Sequence, residues 1–195
     1  ILARYQIDIP PAVVALLDSP SCETPFAGDE ALSRSETHLL ATPQKSLAAA
    51  ADVARAAGYQ PVLLGDALEG ASQDLARHIA AEANHAGPGK ALISGGETTV
   101  MVRGDGYGGR NAEFLHALCL AFNGDDRFYA LAADTDGIDG RPLPDGPVAG
   151  ALITPDTLAR AASLRLDAAA MLANNDSHSF FTSLGDQLIT GPTRT

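Results

Sequence analysis

Hydrophobic and polar positions along the chain alternate in two rhythms. Over Gln44–Ala57 the apolar positions Leu47, Ala50, Ala51, Ala54 and Ala57 recur at helical spacing, and Gly58 supplies a stop. Pro61–Leu64 is a short apolar run that predicts a strand. After Gly70 and Ser72, the positions Leu75, Ala76, Ile79, Ala80 and Ala83 share one helical face, and Gly87–Gly89 makes a turn. Ala91–Ser94 and Thr98–Val102 then predict two closely spaced strands, separated by two glycines. Asn111–Phe122 predicts a helix that is apolar on most sides, and Phe128–Ala133 another strand, with a polar loop over Asp134–Gly146. Helical stretches follow at Thr157–Leu164, Asp167–Leu172 and Ser177–Leu184, and a last strand at Leu188–Thr190. Helices alternating with short strands predict an α/β fold, a layered mixed sheet with flanking helices.

Residues 1–38 read differently. Pro10, Pro11, Pro20 and Pro25 interrupt any long element, and only Ala12–Leu17 offers a turn or two of helix. This segment is expected to be an inter-domain connector, with residues 39–195 forming the α/β domain. The chain opens without Met and without a basic stretch, so it reads as entering mid-protein.

Composition narrows the choice of partner. Hydrophobic residues make up 46% of the 195 positions, but aromatics only 5% and Trp none, so the core is built from Ala, Leu, Val and Ile. The net charge of −11 argues against a nucleic-acid backbone or an anionic membrane surface as partner. It leaves room for a small anion held by local Arg, backbone N–H groups or a metal. Only two cysteines occur: Cys22 and Cys119, the latter in an apolar run, which suits a reducing cytoplasm. The five histidines have no metal-ligand spacing, and no Gly-x-Ser-x-Gly nucleophile motif is present.

Four segments can carry chemistry. Ser94-Gly95-Gly96-Glu97-Thr98-Thr99 follows a strand, where α/β proteins place ligands, and its glycines allow close backbone approach; a tight turn with a solvated Glu97 fits as well. Gly104–Gly109, Arg110 and Asn111 lead into a helix, an arrangement suited to an anion, with Arg110 as a forked cation. Gly104, Gly106 and Gly109 match Gly-x-Gly-x-x-Gly literally but lack the βαβ context of a dinucleotide site; a glycine-rich hairpin or loop with a helix-capping Asn111 is the plain alternative. Asp134, Asp136 and Asp139 lie on one loop after a strand and suit Mg²⁺, or form an acidic turn. Asn174-Asn175-Asp176-Ser177-His178 is a polar knot between two helices, in which Asp176 or Ser177 caps the second and His178 packs or faces solvent rather than catalysing.

Taken in order, ISGGETTV, GYGGRNAEF, AADTDGIDG, NNDSHSFF and TGPTRT resemble the MOFRL region of class II glycerate kinases, a family in which some members are labelled hydroxypyruvate reductases. The upstream LAAAADVARAAGY and LGDALEGASQDLA are similar to that family as well, so the resemblance covers nearly the whole chain. It implies a two-domain cytoplasmic enzyme that transfers a phosphoryl group from ATP to the 2-hydroxyl of D-glycerate with Mg²⁺ in an inter-domain cleft. The N-terminal domain, with its Lys, has no counterpart here, so the chain would be about half of the enzyme, inactive alone and prone to form a homo-oligomer. Family members commonly carry Gln where this chain has Ala112.

The resemblance assigns roles. Arg110 would stabilise charge on the transferred group, while Glu97 and Asp134 would orient metal or glycerate hydroxyls. Gly95, Gly96, Thr98, Gly108, Gly109 and Asn111 would line the nucleotide side, Asp134 and Asp136 would hold the metal, and Asn174 would stand nearby. Two other functions remain open: an NAD(P)H-dependent hydroxypyruvate reductase, and a non-catalytic sugar-acid-binding module.

Overall fold

The computed structural model describes residues 2–141 and 144–193. Pro142 and Leu143, within the expected polar loop, and Arg194 and Thr195, which end the last motif, lie outside the described residues. The chain divides into two compact units at Leu40/Ala41. The first holds two short helices, α1 (Leu2–Tyr5) and α2 (Pro11–Leu17), and two 3₁₀ turns, Pro20–Cys22 and Glu30–Leu32. Pro11 starts α2 because a first-turn residue needs no N–H donor.

The second unit is a mixed α/β structure. Helix α3 (Pro43–Ala56) begins on Thr42, whose hydroxyl accepts from Lys45 N–H at 3.3 Å, with Pro43 at the first helical position. Strand β1 (Gln60–Ala71), helix α4 (Ser72–Ala86) and strand β2 (Lys90–Thr99) form a parallel β–α–β unit. Helix α5 (Arg110–Phe122) follows, and then an antiparallel sheet, in the order β3 (Ala130–Ala133), β4 (Gly150–Ile153), β5 (Gln187–Leu188). Helices α6 (Thr157–Ser163), α7 (Ala168–Ala173) and α8 (Ser177–Leu184) lie between β4 and β5 in sequence.

Several expected boundaries change. Ala91–Ser94 and Thr98–Val102 are not two strands; β2 runs through both glycines to Thr99, and Val100–Val102 leave the sheet. The reason is register. A Cβ at Gly96 would overlap the backbone of Leu68 on β1, so glycine there lets the two strands stay paired rather than turn. Pro61–Leu64 is the start of a longer strand, because β1 absorbs irregularities between Leu63 and Gly65 and between Gly65 and Leu68. Strand β4, built of Gly150, Ala151, Leu152 and Ile153, has no counterpart among the expected elements.

The core centres on α5. Leu115, Leu118 and Cys119 pack with Ala76 and Ala80 of α4, Ala151 and Ile153 of β4, and Phe180 and Phe181 of α8. Burial pushes the Cys119 thiol up to about 12, so it behaves as a small hydrophobe. His116 is buried in the same core, stacked on Phe180 with ring centroids 4.0 Å apart, and its Nδ1 lies 3.1 Å from Ser177 Oγ. Burial pulls its pKa from 6.5 down to about 4. The folded state therefore binds fewer protons than the unfolded chain between these values, and stability falls as pH drops through that window. The cost approaches about 3 kcal/mol at the acid end. Denaturant midpoints measured from pH 7 to 4 should decline more steeply for the wild type than for His116→Gln.

Candidate active site

Three strand and helix ends meet at one guanidinium. Glu97 lies near the end of β2, opposite Glu69 of β1. Arg110 is the first residue of α5, and Asp134 follows β3 directly, tied down by its own N–H to Ala149 O at 2.7 Å. Arg110 Nη1 contacts Glu97 Oε1 and Nη2 donates to Asp134 Oδ2. The structure thus brings together the three residues that the resemblance gives catalytic roles, 13 and 24 positions from Arg110 in sequence. Side-chain exposure is graded: Asp134 13%, Arg110 32%, Glu97 68%. The guanidinium is thus about one-third exposed beside a mostly buried carboxylate.

The charges of this cluster sum to −1 when all three groups are ionised. A phosphate would meet net repulsion there unless a cation arrived with it. Glu97 and Asp134 bond the same guanidinium, so their carboxylates lie close together. That donor set fits Mg²⁺, which takes one or two carboxylates and keeps several waters. Asp136 is engaged differently, its Oδ1 accepting from Ile138 N–H at 2.8 Å to close a turn. Among the described residues, no three His, Cys, Asp or Glu side chains gather as a ready-made metal site.

The expected anion cradle at the start of α5 is already filled. Asp139 accepts from Asn111 N–H at 3.0 Å, from Ala112 N–H at 2.8 Å and from Asn111 Nδ2 at 3.3 Å. The residue before the helix, Gly109, has no side chain with which to cap it, so a carboxylate from the loop after β3 does so instead. The glycines serve close approach. A Cβ at Gly104 would overlap Asn174, one at Gly106 would overlap Asp176, one at Gly108 would press Asn175 O at 2.7 Å, and one at Gly109 would overlap Asp139. The loop's Gly-x-Gly-x-x-Gly match is therefore a packing pattern. Gly108, Gly109 and Asn111, read as nucleotide contacts, have an account within the chain itself, as does Gly96 against Leu68. Gly95 meets only ordinary contacts, and Thr98 lies 3.1 Å from Ser72 Oγ, which donates to it.

The polar knot of residues 174–178 is the partner that the glycine loop packs on. Asn175 Oδ1 accepts from Arg103 N–H at 2.7 Å and Gly104 N–H at 3.0 Å. Its Nδ2 donates to Met101 O at 3.2 Å and to the buried carboxylate of Glu113 at 2.9 Å. Asp176 accepts from Tyr107 N–H at 2.9 Å and from the Ser179 hydroxyl at 2.5 Å. Asn174 exchanges a weaker bond with Asp105, Nδ2 to Oδ1 at 3.2 Å. His178 packs rather than facing solvent, and is fully buried. Sequence reasoning placed Asp139 and Asn175 in candidate segments but gave neither a role of its own, and it gave Glu113 none. The signal in the sequence was an Asn pair between two helical stretches; Asn175 takes a left-handed φ of 55°, which Asn tolerates better than most residues.

Comparison with known proteins supplies the lineage. The model of the MOFRL family matches residues 90–195, from β2 to the end of the chain. The chain belongs to the MOFRL family. That match takes in Glu97, Arg110, Asp134 and Asp139. A protein of Agrobacterium vitis named "Putative hydroxypyruvate reductase" is 43% identical over 204 residues, covering 100% of this chain and 45% of its own length. The D-glycerate 2-kinase of Thermotoga maritima is 33% identical over 171 residues, covering 84% of this chain and 40% of that enzyme. The crystal structure of a Thermotoga maritima glycerate kinase superposes with a TM-score of 0.77 at 32% identity, over 100% of this chain and 46% of that one. This MOFRL chain thus spans about half the length of the curated relatives it matches. Among the described residues, no helix is long and apolar enough to cross a membrane.

Proposed function

We propose that this MOFRL chain forms one half of a two-domain glycerate kinase, acting with ATP and Mg²⁺ on the 2-hydroxyl of D-glycerate to give 2-phosphoglycerate. The observation that carries the reading is Arg110 bracketed by Glu97 and Asp134 at the ends of α5, β2 and β3. Phosphoryl transfer needs charge stabilisation and alignment more than covalent chemistry, and a fixed guanidinium beside two carboxylates supplies both. In this reading Arg110 turns its free donors to the transferred phosphoryl group. Asp134, the less exposed carboxylate, orients the glycerate hydroxyl, and Glu97 stands on the solvent side. Glu97 and Asp134, with Asp136 two positions beyond Asp134, would hold Mg²⁺, which when bound neutralises phosphate charge. Gly95 and Thr98 remain on the nucleotide side. The other half supplies the opposite wall of the cleft, so this half alone turns nothing over. Two unpaired cysteines, one of them exposed, suit a reducing cytoplasm.

The reductase named among the relatives is the second reading. The kinase reading is supported over it by the glycine loop, whose glycines at 104, 106, 108 and 109 are each accounted for by close packing on residues 174–176 and Asp139 within the chain. The test is an assay of the protein with both halves present, given D-glycerate, ATP and Mg²⁺, beside hydroxypyruvate and NAD(P)H. Phosphoglycerate is the expected product. Oxidation of NAD(P)H with no phosphoglycerate would overturn the kinase reading.

A further inference from the structure

The glycine-rich entry to α5 and the loop after β3 are joined by Asp139, a residue that touches neither Arg110 nor open solvent. Its side chain is fully buried. Both carboxylate oxygens are engaged, Oδ1 by Asn111 N–H at 3.0 Å and Oδ2 by Ala112 N–H at 2.8 Å. Its own N–H donates to Val148 O at 2.7 Å, beside β4. Its carbonyl lies 2.7 Å from His178 Nε2. A carbonyl only accepts, so Nε2 carries the proton and the ring is held as that tautomer. His178 is itself buried at the start of α8, and its N–H donates to Tyr107 O in the glycine loop at 2.9 Å. The neighbouring loop closes the frame: Arg141 N–H donates to Gly108 O at 3.1 Å.

These bonds converge on two sites. One is the residue pair directly after Arg110, and the other is the loop that begins with Asp134. We propose that Asp139, seated on His178, is a positioning residue for Arg110: it caps α5 from the far loop and so fixes the guanidinium against Asp134. The inference rests on the kinase reading of the Arg110 site and adds to it. A surface cap would serve helix stability alone. This cap is a carboxylate from the same loop that carries the partner of Arg110, so shifting it moves one relative to the other. The absent Cβ of Gly109 is what makes room for it.

A double-mutant cycle in the two-domain enzyme separates positioning from mere support, because residues acting through one another are non-additive. Asp139→Asn keeps the shape but can accept only one of the two N–H bonds. It is expected to lower kcat on the order of 10²-fold, the scale of a small misplacement of a reacting group. In the Arg110→Ala background the same change is expected to cost less than about twofold, within ordinary additivity error. Circular dichroism and Tm are followed in parallel, and a Tm loss equal in both backgrounds is expected. An equal loss of kcat in both backgrounds would overturn the proposal, as would a wild-type rate for Asp139→Asn. If Arg110→Ala alone kept the wild-type rate, the kinase reading beneath it would fail, a result visible in that single variant. Should Asp139→Asn not fold, His178→Gln goes through the same cycle. Loss confined to the Arg110 background supports the proposal, and equal loss in both overturns it.

Discussion

Arg110→Ala should lower turnover of D-glycerate on the order of 10³-fold, the scale found when a charge-stabilising arginine is removed from phosphoryl transfer. The physical reason lies in where its donors point. Two of them hold Asp134 and Glu97, and the Arg110 side chain stays 32% exposed. Removing the side chain takes away the cluster's positive charge and leaves two facing carboxylates, a poor site for phosphate. Arg110→Lys should recover only part of the rate, because an ammonium keeps the charge but cannot fork to two partners and a phosphate at once. Stability should change far less than the rate. The exposed Glu97 pair contributes roughly 0–1 kcal/mol, and the loss of the partner of the less exposed Asp134 adds to it, so a Tm loss of several degrees is expected. Phosphoglycerate assay and thermal unfolding, run on the same preparations, check both statements. A variant with wild-type turnover removes Arg110 from the mechanism.

Asn175→Ala should have the opposite profile, a large stability loss first and an activity loss in consequence. Its side chain makes four bonds: two accepted from Arg103 and Gly104 N–H, two donated to Met101 O and Glu113 Oε2. Truncation leaves Glu113, only 3% exposed, with a single long bond of 3.4 Å from Gln73. A buried donor or acceptor left without its partner costs roughly 1–3 kcal/mol, more when charged, so a loss of about 3–5 kcal/mol is expected. Ala is also worse than Asn in the left-handed conformation that residue 175 adopts. Urea unfolding measures the loss. Asn175→Asp would test the same point with the shape preserved, since it sets a second carboxylate against Glu113. A change below about 1 kcal/mol in either variant would show that water replaces these bonds.

Part of this protein was determined by sequence alone, and the reason is periodicity. Helical spacing in Gln44–Ala57, Asn111–Phe122 and Ser177–Leu184 is a local property, and the observed helices start and stop within a residue or so of those spans. The α/β class follows from helices alternating with short strands; Glu97 and Asp134 stand out in motifs after strands and Arg110 at a helix start, and those three side chains do meet. What the tertiary structure decided is non-local. Whether Gly95-Gly96 turns the chain or lets β2 run straight depends on how near Leu68 lies on another strand. Strand β4 is too short and too rich in small residues to announce itself; it exists because β3 and β5 pair on either side of it. The start of α5 reads in sequence as an anion site because a glycine loop leads into a helix N-terminus beside Arg110. Asp139, 30 positions beyond Gly109, fills it, and only the folding of the loop after β3 onto that helix brings the carboxylate there.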